Sequence, residues 1–248
     1  MTRLTVSNPG RRGALDHAIL DAFAQTVPAL DARCVIVTGE GSTFSAGYDL
    51  GALAPREGFA DEAESLVAHP FAAATDAVDA YPYPTLAALN GHAIGGGLEL
   101  ALSCDLRIAA DSIKLGMPPA KLGLVYSHTG IRKFIDTIGA ARTRELFLVG
   151  RPVPASAALT WGLVNSIVEP GELPDAAVAL AAEIAANAPL AQAGNKRVIR
   201  AVLDGQATLA PAIERELLEL RQACFSSEDF REGVRAFAEK RPPEWQGR

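Results

Sequence analysis

Short apolar stretches, Leu4–Val6, Cys34–Val37, Thr85–Leu89, Leu106–Ala109 and Val164–Val168, alternate with helical patterns at Leu15–Ala29, Glu62–Ala80, Leu98–Ser103 and Gly130–Ile138. Strand-like runs separated by helices predict an α/β fold, with parallel strands joined by helical crossovers. The alternation then stops. Asp175–Ala186, Leu190–Leu203, Ala212–Cys224 and Glu228–Glu239 read as consecutive helices, with Pro or Gly near several boundaries. The expected organisation is an α/β core over 1–173 and a helical segment over 174–248. At 248 residues and 49% hydrophobic, the chain can bury a large core. The stretch Gly51–Pro70, rich in Ala, Glu and Gly, reads as a surface loop running into a helix.

The most informative segment is Asn90-Gly91-His92-Ala93-Ile94-Gly95-Gly96-Gly97-Leu98-Glu99, between a strand and a helix. Three consecutive glycines let a backbone turn tightly and approach a ligand without Cβ obstruction. The first amides of the helix have no intrahelical acceptor, so a carbonyl oxygen turning into an oxyanion or enolate can be stabilised there. A glycine triplet alone fits a close helix–strand packing contact equally well. The pattern G-x-G-x-x-G and a following Lys-Ser/Thr are both missing, which argues against a phosphate loop. A second loop follows the strand Val35–Gly39 and runs through Phe44-Ser45-Ala46-Gly47-Tyr48-Asp49-Leu50. The Tyr48 amide is the candidate second donor to an oxygen held by Gly96. Asp49 is read as a cap for a following helical turn in preference to a catalytic group.

Net charge is −6 without a basic block, which disfavours nucleic-acid and membrane-surface partners. No apolar run reaches the ~18 residues needed to span a bilayer. The N-terminus MTRLTVSNPGRRGAL lacks the apolar core of a signal peptide, and this points to the cytoplasm. Cys34, Cys104 and Cys224 are far apart and read as buried thiols, with neither a disulfide framework nor a metal site expected.

Taken in order, Phe44–Leu50, Gly95–Glu99, Cys104-Asp105-Leu106-Arg107, Gly150-Arg151-Pro152, Gly162-Leu163-Val164-Asn165 and Ala188-Pro189-Leu190 resemble the crotonase (enoyl-CoA hydratase/isomerase) superfamily over nearly the whole chain. The resemblance implies a spiral of ββα turns and a helical C-terminal segment that drives trimerisation, often to a dimer of trimers. It also implies a CoA thioester substrate, held through its carbonyl oxygen by the amides of Tyr48 and Gly96, with no cofactor beyond the CoA of the substrate. Ala46, Gly95, Pro118, Pro119 and Leu124 are the expected substrate-binding positions. The family usually has another strand before the stretch matching Leu4–Asn8, and none is expected here.

The departures from the family pattern narrow the reading. A hydratase of the family uses two glutamates to hold one water. The first is present as Glu99, but the Gly-Gln-Pro-Glu-like stretch carrying the second reads Gly116-Met117-Pro118-Pro119. Pro119 can neither donate nor accept a proton. The following loop, Val125-Tyr126-Ser127-His128-Thr129-Gly130, also differs from hydratases. Pro118-Pro119-Ala120-Lys121-Leu122-Gly123-Leu124-Val125-Tyr126 resembles the methylmalonyl-CoA decarboxylase branch, as does the tail through Ser227–Gly233 and Ala236–Pro242. That branch has a His where this chain has Tyr48.

Loss of CO2 from a malonyl-type thioester needs the carboxylate perpendicular to the thioester plane, a stabilised enolate oxygen and a proton for the carbon. The amides serve the second need, and a Tyr126 hydroxyl could orient the carboxylate. The plain alternative for Tyr126 is a core or rim tyrosine. His128, near a helix start, could protonate the enolate or be a neutral surface residue. Glu99 is either the proton donor or a structural group. The preferred expectation is decarboxylation of methylmalonyl-CoA or a similar short 2-carboxyacyl-CoA. The alternatives are an enoyl-CoA hydratase or isomerase working with Glu99 alone, and a non-catalytic acyl-CoA-binding protein.

Overall fold

The computed structural model describes residues 1–49, 59–205 and 211–246. Five strands, β1 (Thr2–Val6), β2 (Val35–Gly39), β4 (Thr85–Leu89), β6 (Leu106–Ala110) and β9 (Ser166–Val168), pair in the order β1-β2-β4-β6-β9, all parallel. A second sheet holds β3 (Thr43–Ser45), β5 (His92–Ile94), β7 (Lys114–Gly116) and β8 (Val153–Pro154), in the order β3-β5-β7-β8. Only its last pair, β7 with β8, is antiparallel. The helix α1 (His17–Thr26) links β1 to β2. The chain then leaves the large sheet for the small one three times; it returns directly through a helix the first two times, and the third time only after β8 and the short α5 (Ala155–Trp161). These turns are β2-β3-α2 (Phe59–Ala80), β4-β5-α3 (Gly96–Leu102) and β6-β7-α4 (His128–Arg144).

Burial explains why the strands lack alternation. All five residues of β4 are buried, as a parallel strand covered on both faces requires. α2 turns Phe71, Ala74 and Val78 inward at helical spacing. α6 (Leu173–Ala186) packs on β2, β4 and β6 and buries Leu173, Ala177, Ala181 and Ile184. The expected mixture of parallel strands and helical crossovers is therefore what the chain forms.

Several boundaries differ from expectation, each for a local reason. α1 begins at His17 rather than Leu15, because the Asp16 carboxylate caps it by accepting from the Ile19 amide at 2.9 Å. Leu15 is left to bridge Tyr48 instead. α4 begins at His128, two residues early, capped by Ser127 Oγ, which accepts from the Gly130 amide at 3.1 Å. The last strand of the large sheet starts at Ser166 rather than Val164. Asn165 there exchanges both its amide and its side-chain oxygen with Arg107 at 2.8 Å. The expected loop at Gly51–Pro70 lies partly outside the described residues; from Phe59 onward the chain is helical.

Beyond β9 the described residues are helical: α6, α7 (Pro189–Gly205), α8 (Pro211–Phe225) and α9 (Glu228–Glu239), with the short α5 (Ala155–Trp161) before β9. α7 has no buried residue, and Leu190, Val198, Ile199 and Val202 stand exposed along it. α8 packs against α2, and α9 against a short 3-10 turn at Pro119–Leu122. The Cys224 thiol donates to Gly123 O at 2.8 Å, and Val125 N donates to the same sulfur at 3.2 Å. The end of the chain thus holds the loop leading to Tyr126. Among the described residues no single helix is long and apolar enough to cross a membrane.

Candidate active site

The two loops singled out in the sequence meet. Gly47 and Asp49 bond to Leu15 from either side of Tyr48: Leu15 N donates to Gly47 O at 2.7 Å and Asp49 N to Leu15 O at 3.1 Å. In extended backbone, successive amides alternate sides, so the Tyr48 amide points away from Leu15. A methyl group on Gly47 would stand 2.7 Å from Ile94 O and 3.1 Å from Gly96 N, so the Tyr48 loop lies directly on the start of α3. Gly95 has φ +57°, a left-handed conformation that glycine adopts freely. Its amide donates to Gly116 O at 2.9 Å. Gly97 is required by space, since a Cβ there would fall 2.6 Å from Ser45 O.

Four of the expected residues form one connected group. The Tyr48 ring lies over Gly96: a methyl group there would stand 3.0 Å from Cε1 and 3.1 Å from Cζ of that ring. The Phe71 and Tyr48 rings pack in a T-shape with centroids 4.9 Å apart. The Tyr48 and Tyr126 hydroxyls lie 3.3 Å apart, and Tyr126 donates a short hydrogen bond to Glu99 Oε2. A phenol has a single proton to give. With that of Tyr126 held by Glu99, Tyr48 is the donor in the contact between the phenols.

Glu99 is 4% exposed, and among the described residues it is the one buried glutamate. The first turn of α4 closes over it: a methyl group on Gly130 would stand 2.6 Å from Tyr126 Cε1 and 3.0 Å from Glu99 Oε1. A helix N-terminus favours negative charge, so α4 adds an electropositive end to a space that holds a carboxylate. Burial, and then the charge of Glu99, push the Tyr126 phenol well above its ordinary value. Tyr126 is held as a neutral donor.

With this geometry in view, comparison with known proteins is decisive. The enoyl-CoA hydratase/isomerase family model matches residues 2–248. The chain belongs to the crotonase family. Carnitinyl-CoA dehydratase from Proteus mirabilis is 40% identical over 234 residues, covering 94% of this chain and 88% of the relative. A crystal structure of methylmalonyl-CoA decarboxylase matches with a TM-score of 0.89 at 30% identity, covering 99% of this chain and 94% of that one. Another, of methylmalonyl-CoA decarboxylase in complex with 2-nitronate-propionyl-CoA, gives a TM-score of 0.90 at 30% identity, with 99% and 95% coverage.

Within this crotonase the other expected site residues separate. Pro118 and Pro119 open the 3-10 turn, and Leu124 N donates to Pro119 O at 3.0 Å, so all three sit in the loop that delivers Tyr126. Ala46 is exposed, and its amide donates to Arg12 O at 3.1 Å. His128 faces elsewhere: its Nε2 lies 3.7 Å from Glu214 Oε1 of α8. Asp49 is engaged by Arg11, whose Nη1 lies 2.7 Å and 2.9 Å from its two carboxylate oxygens. The ion pair ties the Tyr48 loop to the N-terminal segment, and the helical turn that Asp49 was expected to cap lies outside the described residues. Among the described residues no three His, Cys, Asp or Glu side chains converge on a metal-binding arrangement.

Two contributors were not foreseen. Phe71 braces the Tyr48 ring from α2, and nothing in its local sequence marks it. Ser45 accepts from Gly47 N at 3.2 Å and donates to Gly13 O at 2.7 Å, locking the loop from beneath. Its place before Ala46-Gly47 was the available signal.

Proposed function

We propose that this crotonase decarboxylates methylmalonyl-CoA or a similar short 2-carboxyacyl-CoA. The observation that carries the reading is the pairing of Glu99, the one buried glutamate among the described residues, with Tyr126, while Pro119 stands where a hydratase of the family has its second glutamate. Hydration needs two carboxylates to hold and activate one water. Decarboxylation needs a carboxylate-orienting donor, an oxyanion site and a proton.

In this reading the thioester oxygen accepts from the amides of Tyr48 and Gly96, and Tyr126 orients the substrate carboxylate. The C–C bond breaks, CO2 leaves, and its electron pair passes to the enolate, whose negative oxygen the two amides stabilise. A substrate carboxylate beside Glu99 is repelled by an ionised glutamate and favours a proton on it. Tyr126 is then free to turn its own proton to the substrate. The Tyr126–Glu99 pair is the source of the proton that the enolate carbon takes up, ahead of His128, whose imidazole faces Glu214. Ala46, Gly95, Pro118, Pro119 and Leu124 line the acyl end, no cofactor beyond the CoA of the substrate takes part, and residues 1–173 supply the whole site.

A second reading has a specific observation in its favour. Glu99 keeps a buried carboxylate beside the glycine segment, and the Proteus mirabilis relative is named a dehydratase. Loss of water from an acyl-CoA, with Glu99 as the only acid–base group, is the competing activity. Incubation of the protein with methylmalonyl-CoA and with crotonyl-CoA, followed by mass spectrometry, separates the two. The expected result is loss of CO2 from the first and no change in the second. Rapid hydration of crotonyl-CoA with methylmalonyl-CoA intact would establish the competing reading, and no change in either would leave a binding protein.

The assembly proposed is a trimer, or a dimer of trimers. Its support is α7, whose apolar residues Val198, Ile199 and Val202 are more than half exposed among the described residues.

A further inference from the structure

We infer that the Tyr48 side chain, and not only its amide, limits the acyl group that this protein accepts. The ring stands against Gly96, at 3.0 Å and 3.1 Å from where a methyl group on that residue would lie. It therefore occupies the space in front of the residue whose amide is proposed to hold the thioester oxygen. Among the described residues, these contacts keep it there. Gly96 backs it, the Phe71 ring packs T-shaped against it at 4.9 Å between centroids, and its hydroxyl sits 3.3 Å from that of Tyr126. Tyr126 is itself fixed by Glu99 and by the Phe147 ring at 5.6 Å. A ring braced on three sides by buried partners forms a wall, and swinging it aside forfeits a hydrogen bond and an aromatic contact together.

A short acyl group fits beside such a wall, and a long unbranched chain runs into it. The inference rests on the reading that a CoA thioester sits on Gly96, but not on which reaction follows. Tyr48 is thus a specificity-determining residue, with Phe71 and Tyr126 as its supports.

The test uses ligands that the protein cannot turn over: propionyl-, butyryl- and hexanoyl-CoA. Their affinities are measured by calorimetry on the wild-type protein, Tyr48→Phe, Tyr48→Leu and Tyr48→Ala, each checked for folding by thermal melting. The wild type is expected to bind hexanoyl-CoA more weakly than propionyl-CoA. Tyr48→Phe, which keeps the ring and loses its hydroxyl anchor, should shrink the difference. Tyr48→Ala should reverse it, with hexanoyl-CoA gaining roughly tenfold over propionyl-CoA as extra methylenes become buried. If Tyr48→Ala does not fold, Tyr48→Leu carries the test, with an intermediate profile expected. The same chain-length profile in all the folded variants would overturn the inference. Failure of the wild type to bind any of the three esters would instead remove the thioester reading beneath it.

Discussion

Two helices of this crotonase make opposite use of their apolar residues. All seven residues of α3 are buried, and its partners come from the same chain: Ser45 against Gly97, the Tyr48 ring against Gly96, Tyr126 on Glu99. α7 is more than twice as long and buries nothing, with Leu190 87% exposed and Val198 and Ile199 each 60% exposed. A segment enclosed by its own chain can be held rigidly enough for chemistry. One that leaves an apolar stripe exposed is the face that the proposed trimer would cover, since large apolar patches are rarely left open on a monomer. The contrast separates what a single chain completes from what the proposed assembly would complete.

The largest effect that would break the contrast is at Gly96. Gly96→Val pushes into the Tyr48 ring and tilts the amide, and should lower turnover by ~10²–10³-fold, as removal of one oxyanion donor does. The thermal midpoint should fall far less than such a rate loss suggests. A folded, fully active variant would take the Gly96 amide out of the mechanism.

Core truncations sharpen the same comparison. Leu100→Ala in α3 should destabilise by about 2–5 kcal/mol, because its fully buried side chain leaves a cavity. Val202→Ala on α7 should cost no more than ~0.5 kcal/mol if the chain is a monomer. Denaturant melts at two protein concentrations decide it. A larger, concentration-dependent loss at Val202 shows that a second copy covers the stripe. A stable monomer at micromolar concentration in sedimentation would defeat the trimer proposal outright.

A smaller change comes from Tyr126→Phe, which keeps the ring against Phe147 and deletes the hydroxyl on Glu99. Losing one hydrogen bond to a charged group should cost on the order of 1.5–3 kcal/mol, roughly 10- to 150-fold in rate. The loss should appear with methylmalonyl-CoA, while propionyl-CoA affinity stays nearly constant. An unchanged rate would make Tyr126 a packing residue like those of α3.

The smallest effect is in the alkaline range. Burial and the Glu99 charge raise the Tyr126 phenol well above its ordinary value. In the unfolded chain a phenol loses its proton near pH ~10, whereas here it keeps it. The folded state then binds more protons, so stability falls as pH rises above about 10. Tyr126→Phe should flatten part of that slope in melts between neutral and strongly alkaline pH. An identical slope would mean that Tyr126 titrates as an exposed phenol does.

Composition and periodicity determined the α/β class, the apolar runs that become the five strands of the large sheet, and the C-terminal helices, because each is a property of neighbouring residues. The short strands β3, β5, β7 and β8 were not legible. Two or three residues carry no period, and these become strands only through partners far along the chain, as Thr43 does with His92. The family pattern marked Tyr48, Gly96, Glu99 and Tyr126 by their places in order along the chain. It could not say that they join in one chain of contacts, which depends on α4 closing over Glu99 at Gly130. Nor could it say that Leu15 aligns Tyr48, that Phe71 braces it, or that His128 turns toward Glu214. Local chemistry fixes which residues can act. Which of them face one another is decided by packing between elements remote in sequence, and only the tertiary structure carries that.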